Sequence, residues 1–164
     1  MLFHELKTQF VADMVNVNVN AVALLTKLYI AKLYSRKSDT AVICLSSLAG
    51  VKAMSYFNVY CATKAFVEMF CESLSIEYPR TQFLSIRPSE VSTQMSFYKP
   101  KDIFTISAEE CTENILRELS RGVKSSNAHW NHKIQEFLYK NLPSSLFDFV
   151  WSRFVVNDFC KQRG

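Results

Sequence analysis

The chain has 164 residues, 49% apolar and 21% charged, with a formal net charge of +4. That length makes one domain with a sizeable core, and that balance excludes a disordered chain. The cations are scattered, so no stripe for nucleic acid forms and no nucleic-acid partner is expected.

The opening stretch MLFHELKTQF carries Glu5 and Lys7 and shows no apolar signal region. No run of about 18 apolar residues occurs, so no transmembrane helix is expected. Leu24, Leu25, Leu28 and Tyr29 recur at helical spacing, and residues 2–34 read as helix. Within them, residues 15–20 read VNVNVN. Alternation is the mark of a half-buried strand, yet Asn is disfavoured in strands and inside helices alike. On a helix, a step of two residues turns the side chain by about 200°. Asn16 and Asn20 then share one face and Asn18 points nearly opposite.

SRKSD (35–39) is a turn. TAVICLSS (40–47) is a nearly unbroken apolar run and reads as a strand covered on both faces. Residues 48–55 read as loop, and 56–78 as helix stopped by Pro79. TQFLSIRP (81–88) reads as a second buried strand, followed by a loop over 89–102. Ser107-Ala108-Glu109-Glu110 fits a capping box before a helix reaching about Ser120. NAHWNH (127–132) reads as a short third strand, and two aromatic-rich helices split by Leu142-Pro143 follow. Strands alternating with helices predict an α/β fold with a parallel sheet, the strands at 40–47 and 81–88 forming one right-handed βαβ unit. Residues 1–125 form the main part of the domain and 126–164 an extension of it. Five cysteines (Cys44, Cys61, Cys71, Cys111, Cys160) form no CxxC pair and no metal spacing. They read as reduced core thiols, and no metal site is expected.

Tyr60 and Lys64 stand four apart on the predicted helix, one turn from each other on one face. A cation beside a phenol favours the phenolate and would lower its pKa, making Tyr60 a usable general acid. The same spacing also describes an ordinary exposed pair. Ser46-Ser47 close the preceding strand, however, and strand ends are where α/β sheets place site residues. With that context AVICLSSLAG, VYCATKAFVEMFCESLSIEY and FLSIRPSEVSTQM resemble the catalytic half of the short-chain dehydrogenase/reductase family. SAEECTENIL and KNLPSSLFDFVWSRFVV resemble the tails of very-long-chain 3-oxoacyl-CoA reductases and their hydroxysteroid dehydrogenase relatives. The resemblance implies a partial, Rossmann-like, doubly wound sheet, the second half only, with C-terminal helices. It implies that Tyr60 donates a proton to the substrate oxygen and that Ser47 hydrogen-bonds the substrate carbonyl. Lys64 would bond the nicotinamide ribose, and Asn18, in an Asn-Val step with Thr26 following, would anchor a relay water. Thr93 would touch the nicotinamide carboxamide, and Pro88 and Val91, with Tyr60 and Lys64, would also bind the cofactor. The implied activity is NADPH- or NADH-dependent reduction of a 3-oxoacyl-CoA or steroid-like ketone, in lipid metabolism and fatty acid elongation.

The family's first half has no counterpart here. Glycine occurs only at Gly50, Gly122 and Gly164, so there is no TGxxxGxG phosphate loop, and no NNAG follows. The usual Pro-Gly reads Pro88-Ser89. A sheet cut at one edge exposes an unpaired ladder, so a second polypeptide is expected along it, and this chain alone is expected to bind no nucleotide. Three readings stand: a truncated reductase, a split enzyme, or a structural subunit of a larger assembly derived from one. Residues 142–159 carry a stripe of Leu146, Phe147, Val150, Trp151, Phe154 and Val155. The stripe fits a docked helix or a membrane-surface contact. The implied setting is intracellular, at the endoplasmic reticulum membrane, in the cytoplasm or in an organelle assembly.

Overall fold

A computed structural model describes residues 2–156. Its elements are α1 (Thr8–Val15), a π-helical turn (Asn16–Asn20), α2 (Ala21–Tyr34), β1 (Thr40–Leu45), α3 (Asn58–Glu77) and β2 (Thr81–Ile86). There follow β3 (Glu90–Ser92), β4 (Thr105–Ser107), α4 (Ala108–Ser120), β5 (Ser125–Ser126), α5 (Trp130–Asn141) and α6 (Ser144–Val150), which runs into a second π-helical segment (Trp151–Val156).

β1, β2 and β5 form a parallel sheet in that order, with Thr40 opposite Thr81 and Leu45 opposite Ile86. β3 and β4 form a small parallel pair beside it, β3 falling within the segment 89–102 read from sequence as loop and β4 just after it. Alternation along β2 turns Phe83 to one face and Leu84 and Ile86 to the other. Phe83 joins Ile30, Cys44, Val67 and Cys71 in a core with α2 and α3. Leu84 and Ile86 join Ile106, Cys111 and Ala128 in a core with α4. The sheet is therefore wound on both faces, as the α/β reading requires. Cys44, Cys61, Cys71 and Cys111 are buried free thiols, and Cys160 lies outside the described residues.

Three expectations change. β1 is not covered on both faces: Val42 and Cys44 meet the first core, while Ile43 and Leu45 stay 39% and 58% exposed. β1 is also the edge strand, with β2 on one side only. The third strand is Ser125–Ser126, upstream of NAHWNH, because His129 caps a helix there: its Nδ1 accepts the Asn131 amide at 3.3 Å. Finally, Thr8–Tyr34 is long and apolar enough to cross a membrane by length and composition, with mean hydropathy 1.3. Amides interrupt its apolar run without sinking the average. Val22 and Ile30 seat it on the first core, while only 6% of its apolar window is buried.

Candidate active site

The site forms where β1 ends and α3 passes over it. Ser46 Oγ donates to the Lys64 carbonyl at 2.8 Å, and Lys64 Nζ donates to the Leu45 carbonyl at 2.9 Å. Two bonds thus clamp the strand end to the middle of α3. The loop follows closely: Gly50 lies against Lys64, and a β-carbon on it would stand 2.8 Å from the Lys64 carbonyl carbon. Only glycine lets backbone approach backbone this way. Ser47 caps the short turn Leu48–Gly50, its Oγ accepting the Ala49 amide at 3.2 Å. Its side chain also hydrogen-bonds Tyr60.

Tyr60 is roofed by aromatic rings. Phe57 meets it edge-on at 6.5 Å, Trp151 meets Phe57 at 5.5 Å, and Phe147 stacks on Trp151 at 6.2 Å. Trp151 Nε1 donates to the Ser55 carbonyl at 3.1 Å, and Lys52 Nζ to the Leu142 carbonyl at 2.8 Å. The predicted C-terminal stripe is accordingly split. Phe147 and Trp151 dock inward, Leu146 and Val150 face out, and the side chains of Phe154 and Val155 lie outside the described set.

This roof sets the electrostatics. Burial raises the Tyr60 phenol above its ordinary pKa, and the Ser47 hydrogen bond pulls it back only in part. Burial also lowers the Lys64 ammonium. The expected depression of Tyr60 by Lys64 is not found: Nζ sits 5.6 Å from the Tyr60 ring centre and is turned to Leu45. Desolvation, which spacing along a helix cannot reveal, outweighs the cation.

Asn18 reaches the same helix from the other side. It lies in the π-helical turn, and its Nδ2 donates to Thr63 Oγ1 at 3.2 Å. Thr63 Oγ1 in turn donates to the Tyr60 carbonyl at 2.8 Å. On the opposite, exposed face Asn20 Nδ2 donates to Asn16 Oδ1 at 2.7 Å. VNVNVN thus serves two faces: an outward amide pair and one inward contact to the Tyr60 helix. Thr26 Oγ1 bonds its own helix, at the Val22 carbonyl.

Pro88 is tied to the Ser47 loop, its carbonyl accepting the Leu48 amide at 3.0 Å. Val91 packs on the second core, and Thr93 bonds within its own loop, its amide to Ser96 Oγ at 2.9 Å. Ser47, Tyr60 and Lys64 therefore form one cluster, Asn18 and Pro88 border it, and Val91 and Thr93 lie further along. Reasoning from sequence missed Gly50, Thr63 and a charged layer beneath. In that layer Glu68, one turn past Lys64, binds Arg87, Ser85 and Ser125, and Arg87 also reaches Glu136. Glu68 at the next turn of the Lys64 face was the available signal.

The family model described as short chain dehydrogenase matches residues 1–103. The chain is 27% identical to 17-beta-hydroxysteroid dehydrogenase type 3 of Rattus norvegicus, over 90% of this chain and 48% of the relative. It is 26% identical to very-long-chain 3-oxoacyl-CoA reductase of Homo sapiens, over 90% of this chain and 46% of the relative. The chain spans about half the length of the curated relatives it matches. A short-chain dehydrogenase of Sphingobium yanoikuyae, solved with NADPH, superposes with a TM-score of 0.68 at 17% identity, covering 87% of this chain and 61% of that one.

Proposed function

Because the chain belongs to the short-chain dehydrogenase family, we propose that it carries the proton-donating half of a nicotinamide-dependent carbonyl reductase. Its substrate is a 3-oxoacyl-CoA or a steroid-like ketone, the two classes named in the relatives. The observation that carries this reading is the cluster of Ser47, Tyr60 and Lys64 at the end of β1, held there by the bonds of Ser46 to the Lys64 carbonyl and of Lys64 to the Leu45 carbonyl.

Burial keeps the Tyr60 phenol protonated at neutral pH, which is the form a proton donor needs. The Tyr60 hydroxyl passes its proton to the carbonyl oxygen as negative charge develops there. Ser47 Oγ donates a second hydrogen bond to that oxygen, and preorganised donors stabilise such charge better than water does. Phe57 beside Tyr60, with Trp151 and Phe147 packed behind it, leaves Tyr60 half-buried.

The donor set fits the nicotinamide end of a dinucleotide. Lys64 Nζ has three N–H donors, of which the Leu45 carbonyl takes one, so two remain for a ribose diol. Pro88, Val91 and Thr93 would border the carboxamide. When bound, NADPH or NADH supplies the hydride. The residues do not fit the pyrophosphate end: Gly50 is spent against Lys64, Gly122 lies in a turn, and no glycine-rich cradle occurs. A second polypeptide along the free edge of β1, over Ile43 and Leu45, would complete both the sheet and the nucleotide site. The relatives suggest the endoplasmic reticulum as the setting.

The exposed β1 face also supports a second reading, a structural subunit held in a larger assembly with Asn18, Ser47, Tyr60 and Lys64 unused. Native mass spectrometry of the chain purified from its own source, with and without NADPH, separates the two. A bound second polypeptide with a mass step of one NADPH supports the split reductase. A large assembly without that step overturns it in favour of the subunit.

A further inference from the structure

Three contacts pin α3 at Lys64: Ser46 Oγ and the Leu45 carbonyl hold it from the end of β1, and Gly50 lies against its backbone. A helix fixed at one point is free to pivot about it. A second anchor stands one turn further on, at Glu68. Its carboxylate receives Ser85 Oγ from β2, Ser125 Oγ from β5 at 2.9 Å and Arg87 Nη1 at 2.5 Å. Ser85 and Ser125 lie opposite one another in the sheet. α3 is thus tied to β1 at one turn and to β2 and β5 at the next. Two anchors on different strands define the line along which the helix crosses the sheet.

The anchor is itself held firmly. Arg87 Nη1 also donates to Ser125 Oγ at 2.5 Å, and Nη2 pairs with Glu136 at 3.4 Å. Its amide donates to the Ser126 carbonyl at 2.8 Å, and the next residue, Pro88, accepts the Leu48 amide of the Ser47 loop. The Glu68 and Arg87 side chains keep only 21% and 16% of their surface exposed. A pair so far withdrawn from water loses in desolvation much of what it gains in attraction. What such a pair does supply is direction. Tyr60 and Glu68 stand one turn to either side of Lys64, about 6 Å along the axis each way. With Lys64 as fulcrum, a displacement at Glu68 is mirrored at Tyr60. We propose that Glu68, held by Arg87, Ser85 and Ser125, is a positioning residue that aims α3 so that the Tyr60 hydroxyl meets Ser47. The inference rests on Tyr60 and Ser47 as working groups of the proposed reduction. Its test reads the phenol and not turnover, so it fails separately from that reading.

The test is ultraviolet titration of Tyr60 in the full chain, each variant blanked by its own Tyr60→Phe partner. Glu68→Leu with Arg87→Met removes both charges together, so neither is left stranded inside. With far-UV circular dichroism unchanged, this pair should move the phenol further up, as loss of the Ser47 bond does. In a Ser47→Ala background the same pair should add no movement, because the bond it acts through is already gone. Glu68→Gln should leave the phenol at the parent value. Its amide keeps an oxygen for Arg87 and Ser125 and turns an N–H to Ser85 Oγ. A downward movement in Glu68→Gln would mean that Glu68 acts on the phenol by its charge, and it overturns the proposal. So does a folded pair variant with Tyr60 unmoved, or one whose shift persists in full without Ser47. If the pair variant does not fold, Ser85→Ala with Ser125→Ala, which spare the ion pair, take its place. An unmoved phenol there overturns the proposal equally.

Discussion

Gly50 and Lys64 touch backbone to backbone: a β-carbon on Gly50 would lie 2.8 Å from the Lys64 carbonyl carbon and 2.9 Å from its oxygen. That contact sets the distance between the Ser47 loop and the Tyr60 helix. Gly50→Ala should therefore cost about 1–3 kcal/mol of stability, as overpacking against rigid backbone does. It should also lower turnover by shifting Ser47 away from Tyr60. Urea unfolding followed by fluorescence measures the first effect, and an unchanged midpoint would show that the loop yields freely.

The three asparagines separate in the same experiment. Asn18 bonds Thr63 across the helix packing, whereas Asn16 and Asn20 bond each other in solvent. Asn18→Ala should destabilise by about 1 kcal/mol through the lost part-buried hydrogen bond. Asn16→Ala should stay within about 0.5 kcal/mol of the parent, as exposed substitutions do. Equal effects at the two positions would contradict the facing assigned to them.

Ser47 draws the Tyr60 pKa down against the burial that raises it. Ser47→Ala should accordingly move the Tyr60 phenol further up. Ultraviolet difference titration of the tyrosinate band, with Tyr60→Phe as the blank, reads this directly. A downward movement would mean that Ser47 does not hydrogen-bond the phenol.

His132 is fully buried, and desolvation lowers its pKa below the ordinary 6.5 of a histidine. The unfolded chain then binds a proton that the folded chain refuses, in the window from 6.5 down to the lowered value. Stability is full above that window and falls as pH drops through it. His132→Gln should flatten this part of the pH profile of urea unfolding. A profile with the same slope would place the titration on another group.

Much of this was legible in the chain. The strands at 40–45 and 81–86 and the helix between them follow from apolar runs and from Pro79, which ends α3 at Tyr78. Spacing drew attention to Tyr60 and Lys64 and the strand end to Ser47, but it was the family resemblance that joined them into one set, which the structure brings together. The helix before Leu142-Pro143 was read, but its start was not: residues 127–132 were read as strand, whereas Trp130 already opens α5 and the strand there is Ser125–Ser126, only two serines long. The direction of the Tyr60 shift was hidden as well. It depends on burial in a cluster with Phe57, Phe147 and Trp151, and two of those rings come from some ninety residues further along.

The most direct test of the proton-donor assignment is Tyr60→Phe, measured as ketone-dependent NADPH or NADH oxidation by the protein purified from its own source. The variant keeps the ring packing on Phe57 and loses only the hydroxyl. Turnover should fall by about 10²–10⁴-fold with the circular dichroism spectrum unchanged. A variant that folds and turns over at the parent rate would contradict the assignment of Tyr60 as the proton donor.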